Sequence, residues 1–185
     1  MSAIERLHPS PSEQTKIHRT GVWLFMFSES MFFVAMIKVR FDLAGSFRPA
    51  QLDQTLALVA TLILLLSAVP NYLVTRGWRR EDGGRATVTL VALTLLLGLA
   101  FAVLLLYEWT SLPVDAAGHY GSVFLGSLTF DLLHVVIGLL VFLSILVRGL
   151  RLRLDPHGSS LGAAGLYWYF VVAMWLVMYG VLYLA

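Results

Sequence analysis

Three ionisable side chains interrupt runs that are otherwise apolar. Glu29 lies inside GVWLFMFSESMFF, and Asp131 and His134 lie inside LTFDLLHVVIGLL. A charge at the centre of a bilayer costs about 2.5–3.5 kcal/mol on insertion scales, so such groups face protein or water and are default candidates for proton or ligand handling. Phe25, Glu29, Phe33 and Met36 fall along one stripe of a helix, which predicts that Glu29 faces protein rather than lipid. Asp131 and His134 are three residues apart and share a face, where the carboxylate could accept from the imidazole N–H. Glu29 suits either proton traffic or a structural interhelical hydrogen bond; Asp131 and His134 suit a structural polar clamp between helices first, with proton relay or partner contact as the alternatives.

Other chemistries find little support. There are no cysteines, which excludes iron–sulfur clusters, thiolate zinc and a cysteine nucleophile. Of His8, His18, His119, His134 and His157, only His134 falls well inside an apolar run. A bis-histidine haem needs two facing histidines, and copper needs several nitrogen or sulfur ligands. Asp131-x-x-His134 is a lone pair, whereas a two-metal carboxylate site takes several such motifs on facing helices. No redox centre and no metal are therefore expected in this chain. Phosphate-binding glycine loops and the serine nucleophile elbow are absent, and the short basic segments give no support for nucleic-acid binding.

Five elements must position these residues. The chain has 185 residues, 58% hydrophobic and 13% charged, with mean hydropathy +0.80. Soluble domains are about 45–50% apolar and about 25% charged. About 20 residues of helix cross the hydrocarbon, and five windows are long enough: residues 21–41, 54–75, 86–107, 121–147 and 161–183. Runs such as LALVATLILLLSAV do not alternate, so a β-barrel is rejected. The expected fold is an all-α bundle of five transmembrane helices (residues 20–185) behind a polar tail, residues 1–19, that lacks the apolar core of a signal peptide. Pro70 would remove one backbone bond from the second span and could kink it.

Charge orients the bundle. Arg6, Lys16, Arg19, Arg76, Arg79, Arg80, Arg85, Arg148, Arg151 and Arg153 fall on one side, against Lys38, Arg40 and Arg48 on the other. This bias predicts a cytoplasmic N-terminus and an external C-terminus. Lys38 and Arg40 are expected to snorkel from the far end of the first span. Tyr167, Trp168 and Tyr169 near one end of the last span, with Tyr179 and Tyr183 near the other, suit either aromatic belts or helix packing. No internal repeat is visible.

The order of short motifs adds a resemblance. GVWLFMFSESMFF (21–33), YEW (107–109), YGSVF (120–124), LTFDLLHVVIGLL (128–140) and YWYFVVAMWLVMYGVLY (167–183) occur in the order found in subunit III of the haem–copper respiratory oxidases, in its short five-helix form. Together they cover most of the chain beyond residue 20. Glu29 falls on the buried glutamate of that family, and His134 on the second of its two histidines. The chain departs from the pattern at Asp131, where the family usually has the first histidine, at Tyr169, where it has histidine, and at Val172, where it has aspartate.

The resemblance implies an accessory subunit without cofactors of its own. Its partners would be a catalytic subunit I, which carries haem and copper, a subunit II, and membrane lipids including bound phospholipid. It implies support of proton uptake and protection of the catalytic subunit during turnover, with Glu29, Asp131 and His134 as buried network members. Lipid headgroups would meet Arg76, Arg79 and Arg80, which also serve as topology signals. The implied location is a bacterial cytoplasmic membrane. Two alternatives stay open here: a counterpart serving a quinol oxidase or nitric oxide reductase, and a small proton-coupled transporter using Glu29 and Asp131.

Overall fold

A computed structural model describes residues 11–45, 52–76, 83–111, 118–151 and 159–185. It contains five helices: α1 (Pro11–Ala44), α2 (Gln54–Arg76), α3 (Gly83–Ser111), α4 (Gly118–Leu150) and α5 (Ser159–Tyr179), the last continuing into a π-helical turn, Gly180–Leu184. Each contains a stretch long and apolar enough to cross a membrane, and the described residues form no strand. Successive helices run antiparallel, so the ends of α1, α3 and α5 lie on one side, here the C-terminal side, and their beginnings on the N-terminal side.

Local chemistry sets the helix ends. α1 is helical from Pro11, ten residues before the apolar span, where proline suits a first helical turn and Glu13 complements the N-terminal dipole. Part of the predicted polar tail is therefore helix that continues the first span. α1 ends at Gly45, whose φ of 56° is the left-handed conformation that closes helices, with its N–H on Phe41 O at 3.0 Å. Asp53 caps α2: its Oδ1 accepts from the N–H groups of Thr55 and Leu56, each at 3.0 Å. α2 continues through Pro70 to Arg76.

α5 is the most buried span and α1 the least. α2, α3 and α4 pack in sequence, α5 lies against α2 and α4, and α1 leans on α4 and α5. Two buried indoles fasten α5 to α2. Trp168 Nε1 donates to Ser67 Oγ and Trp175 Nε1 to Thr61 Oγ1, both at 2.9 Å. Trp168 fits because two neighbours lack side chains: a Cβ at Gly98 would sit 2.6 Å from its ring and one at Gly138 2.8 Å. Next to Pro70, Asn71 Nδ2 donates to Gly165 O at 3.2 Å. Tyr167, Trp168 and Tyr183 are buried core residues, so these aromatics pack between helices rather than forming belts.

The lipid-facing surface is apolar side chains such as Leu62, Leu96, Leu140 and Phe27, each more than half exposed. In water such a surface would be unstable; in hydrocarbon it is the ordinary exterior of a helix bundle.

Candidate functional site

α1 docks through Met26, Phe33 and Arg40, spaced by sevens and all buried. Glu29 sits on the edge of this stripe, with a quarter of its side chain exposed. Of the predicted stripe, Phe33 is buried and Glu29 and Met36 are partly buried, whereas Phe25 lies at the bundle's surface, 43% exposed, although its ring approaches Tyr167. α4 presents His134 to this edge. His134 Nε2 lies 3.3 Å from Glu29 Oε2, and Nδ1 lies 2.8 Å from Phe130 O.

These two contacts limit where protons can sit. A carbonyl oxygen only accepts, so Nδ1 must carry a hydrogen and donate it. That leaves Nε2 facing Oε2. A neutral imidazole with a bare Nε2 would set its lone pair against a carboxylate. The contact is attractive when one proton lies between them, on Glu29 as an acid or on His134 as an imidazolium. Both arrangements are neutral overall. The pair can thus hold one proton and pass it across a single contact without changing the charge buried there. Rings of Phe33, Phe130 and Phe170 surround the imidazole at centroid distances of 5.2, 4.6 and 6.2 Å and exclude solvent from it. The Tyr167 hydroxyl donates to His134 O at 3.0 Å and ties α5 to the same turn.

Asp131 does not join this pair. It is buried, but both imidazole nitrogens are engaged elsewhere, and Asp131 Oδ2 has no hydrogen-bond partner among the described residues. Three residues of helix are 300°, so Asp131 is rotated by roughly 60° from His134. It faces a second polar cluster on the C-terminal side, near Tyr183. There the Glu108 carboxyl lies against Tyr183, and the Tyr120 hydroxyl donates to Leu182 O at 2.7 Å. Gln54 Nε2 donates to Tyr183 O at 3.1 Å. Helix ends leave carbonyls unsatisfied, and here side chains of α2 and α4 take up those of the π-helical turn.

Arg40 was expected to snorkel, and it does the opposite. It is fully buried, its guanidinium 4.7 Å over the Tyr120 ring and donating to Gly45 O. Lys38 does reach outward and pairs with Asp42. Arg40, Glu108 and Tyr183 are among the buried polar residues whose burial sequence reading passed over. The available signal was the seven-residue spacing that puts Arg40 in line with Phe33 and Met26. At the other departures from the family pattern, Tyr169 is half-buried and Val172 is a core residue. Arg76 is exposed beside the Tyr72 ring, and Arg79 and Arg80 lie outside the described residues.

Five packed membrane helices, with a carboxyl–imidazole contact between α1 and α4, define an integral membrane protein with buried acid–base groups. Its relatives identify it further. A family model described as cytochrome c oxidase subunit III matches residues 8–185. Cytochrome c oxidase subunit 3 of Petromyzon marinus is 32% identical over 93% of this chain and 70% of the relative. That of Drosophila melanogaster is 32% identical over 89% and 68%, and that of Gallus gallus 30% over 95% and 72%. The chain belongs to the cytochrome c oxidase subunit III family, and it is a subunit III of a haem–copper oxidase.

Proposed function

We propose that this subunit works without a redox centre of its own, stabilising a catalytic subunit I that carries haem and copper and supporting its proton uptake, with a subunit II completing the complex. The observation that carries the reading is the Glu29–His134 contact: a neutral, one-proton pair on the edge of the least buried helix, with Glu29 still partly open to whatever packs there. A partner subunit on that edge would meet a group able to take or give one proton. In support of this reading, both ring nitrogens of His134 already face protein oxygens, those of Phe130 and Glu29. Catalysis of oxygen reduction is assigned to the partner, and the membrane to a bacterial cytoplasmic one.

Phospholipid is part of the proposal. A cleft of about 600 Å³ opens between α1, α4 and α5 on the N-terminal side, lined by Val22, Phe25, Ile137, Val141 and Ala164. Its apolar wall suits an acyl chain, and the exposed Lys16 and Arg19 near its mouth suit a headgroup phosphate, as does Arg76 elsewhere on that side.

The test is purification in mild detergent through a tag at the N-terminus. Haem bands in a reduced-minus-oxidised spectrum, with a large many-helix subunit identified by mass spectrometry, are the expected result. A colourless product without partner subunits after cross-linking in the native membrane would overturn it. In the purified complex, Glu29→Gln is expected to shorten turnover lifetime or lower proton coupling while leaving the spectrum intact. Unchanged values for both would assign Glu29 to scaffolding alone.

A further inference from the structure

Glu29 is only partly used inside the bundle. Its Oε2 faces His134 Nε2, and the described residues give Oε1 no hydrogen bond. A quarter of the side chain is exposed at the surface where α1 meets α4. The surroundings are apolar. On α1, Phe25 lies four residues before Glu29 and Phe32 three residues after it, and both are exposed. Phe32 stacks on Phe130 of α4 at a centroid distance of 3.9 Å. Leu133 of α4, next to His134 in sequence, is also exposed. An acceptor oxygen thus opens onto a shelf of aromatic and aliphatic side chains.

Depth and proton placement decide what covers it. Glu29 is eight residues beyond Gly21, where the apolar span begins. That is roughly 12 Å into a hydrocarbon layer about 30 Å thick. Acyl chains at that depth carry no donor, and lipid headgroups lie at the surface. A carboxyl oxygen facing hydrocarbon without a donor is costly. In both neutral arrangements of the pair the shared proton lies between Oε2 and Nε2. Oε1 is then bare, a carbonyl oxygen in the acid and a carboxylate oxygen in the ion, and it accepts in either. Whatever covers it must donate. Because the pair is neutral, a lysine or arginine would bring net charge into the contact at mid-membrane. A hydroxyl, an amide or an indole N–H brings none.

We propose that the edge of α1 from Phe25 to Phe32, with Leu133 of α4, docks a transmembrane helix of the catalytic subunit, and that this helix donates a neutral hydrogen bond to Glu29 Oε1 from a serine, threonine, asparagine, glutamine, tyrosine or tryptophan side chain. This docking rests on the catalytic partner named above and adds the chemistry of the contact. Glu29 then has two separable tasks. Oε2 shares a proton with His134, and Oε1 anchors the partner helix.

The test uses the complex in native membranes. Phe25 or Leu133 is replaced by the photoreactive p-benzoylphenylalanine, and irradiation is followed by peptide mapping. Both positions are expected to cross-link to one membrane helix of the catalytic subunit, with one of those donor side chains within a turn of the attachment sites. Retention of the catalytic subunit on the tagged chain through detergent washing is read in parallel. Glu29→Gln keeps an outward acceptor oxygen, because its amide N–H turns to the bare His134 Nε2, and should retain the partner as the native chain does. Glu29→Leu removes the acceptor and should lower retention about threefold or more, the scale of an interhelical hydrogen bond in a membrane. Should Glu29→Leu fail to fold, the cross-links decide. Cross-links to lipid alone, to another chain or to a helix without such a donor would overturn the docking contact, as would equal retention in the two variants. In a haem-bearing complex those outcomes leave the accessory role intact. Conversely, Glu29→Gln that keeps the partner but changes neither turnover lifetime nor proton coupling would remove the proton role and leave the docking contact standing.

Discussion

At the scale of single residues, the Glu29–His134 contact makes a prediction about coupling. Removing one partner strands the other, which costs about 1–3 kcal/mol for a buried polar group, whereas replacing both with apolar groups can be nearly neutral. Glu29→Leu and His134→Leu should therefore each lower the thermal midpoint of the detergent-solubilised protein. The double variant should be more stable than the sum of the two predicts. Strict additivity would mean that the 3.3 Å contact contributes nothing. Arg40→Leu should destabilise by about 3 kcal/mol or more if it leaves a buried carboxyl uncompensated, and by less if Arg40 serves only Gly45 O and the Tyr120 ring. Glu29 and His134 were legible in the sequence because ionisable groups inside apolar runs are rare. Arg40 was not, because a cation near the end of a span can reach for water or turn inward, and only neighbours from other helices decide.

At the scale of helices, two glycines and one cap can be tested. Gly98→Ala and Gly138→Ala push a methyl into the Trp168 ring at 2.6 and 2.8 Å, and overpacking of this kind costs about 1–3 kcal/mol each. Pairing Gly138→Ala with Trp168→Leu should recover much of the loss relative to the sum of the single changes. Gly162→Ala, with nothing within 4 Å, is the matched control and should be close to neutral. Asp53→Ala removes two backbone partners at the start of α2 and should cost about 1 kcal/mol, measured by the same unfolding experiment. The five helices were readable from apolar length, since the bilayer sets a minimum. Their ends were less so. α1 is already helical at Pro11, ten residues before the apolar span, and hydropathy does not mark that polar turn of helix. The fit of Trp168 could not be read at all, because it depends on two glycines from different helices meeting at one depth.

At the scale of the whole molecule, the described cations sharpen the charge asymmetry. Lys16, Arg19, Arg76, Arg85, Arg148 and Arg151 on the N-terminal side are all exposed. On the other side Arg40 is buried and Lys38 is paired with Asp42. By the positive-inside rule, the N-terminal side is predicted to face the cytoplasm. With no native cysteine, this can be tested without background. Ser111→Cys should react with an impermeant maleimide in intact cells, and Arg85→Cys should react only after the membrane is opened. The reverse pattern would invert the bundle. Family membership was legible from five motifs in order, while the split of the polar residues into two clusters was not, because it depends on which residues of other helices meet Asp131 and His134.

The grip on the π-helical turn has a consequence for biosynthesis. Tyr183 leaves the ribosome after Gln54, Glu108 and Tyr120, yet all three close on that turn, at Tyr183 or Leu182. During insertion, the acidic residues of α3 and α4 must wait in the translocon or at the membrane edge without the contacts that later bury them. The final helix is thus the latch of the bundle. A nascent chain stalled before it should be exposed to membrane proteases, and completing that helix should confer resistance in one step.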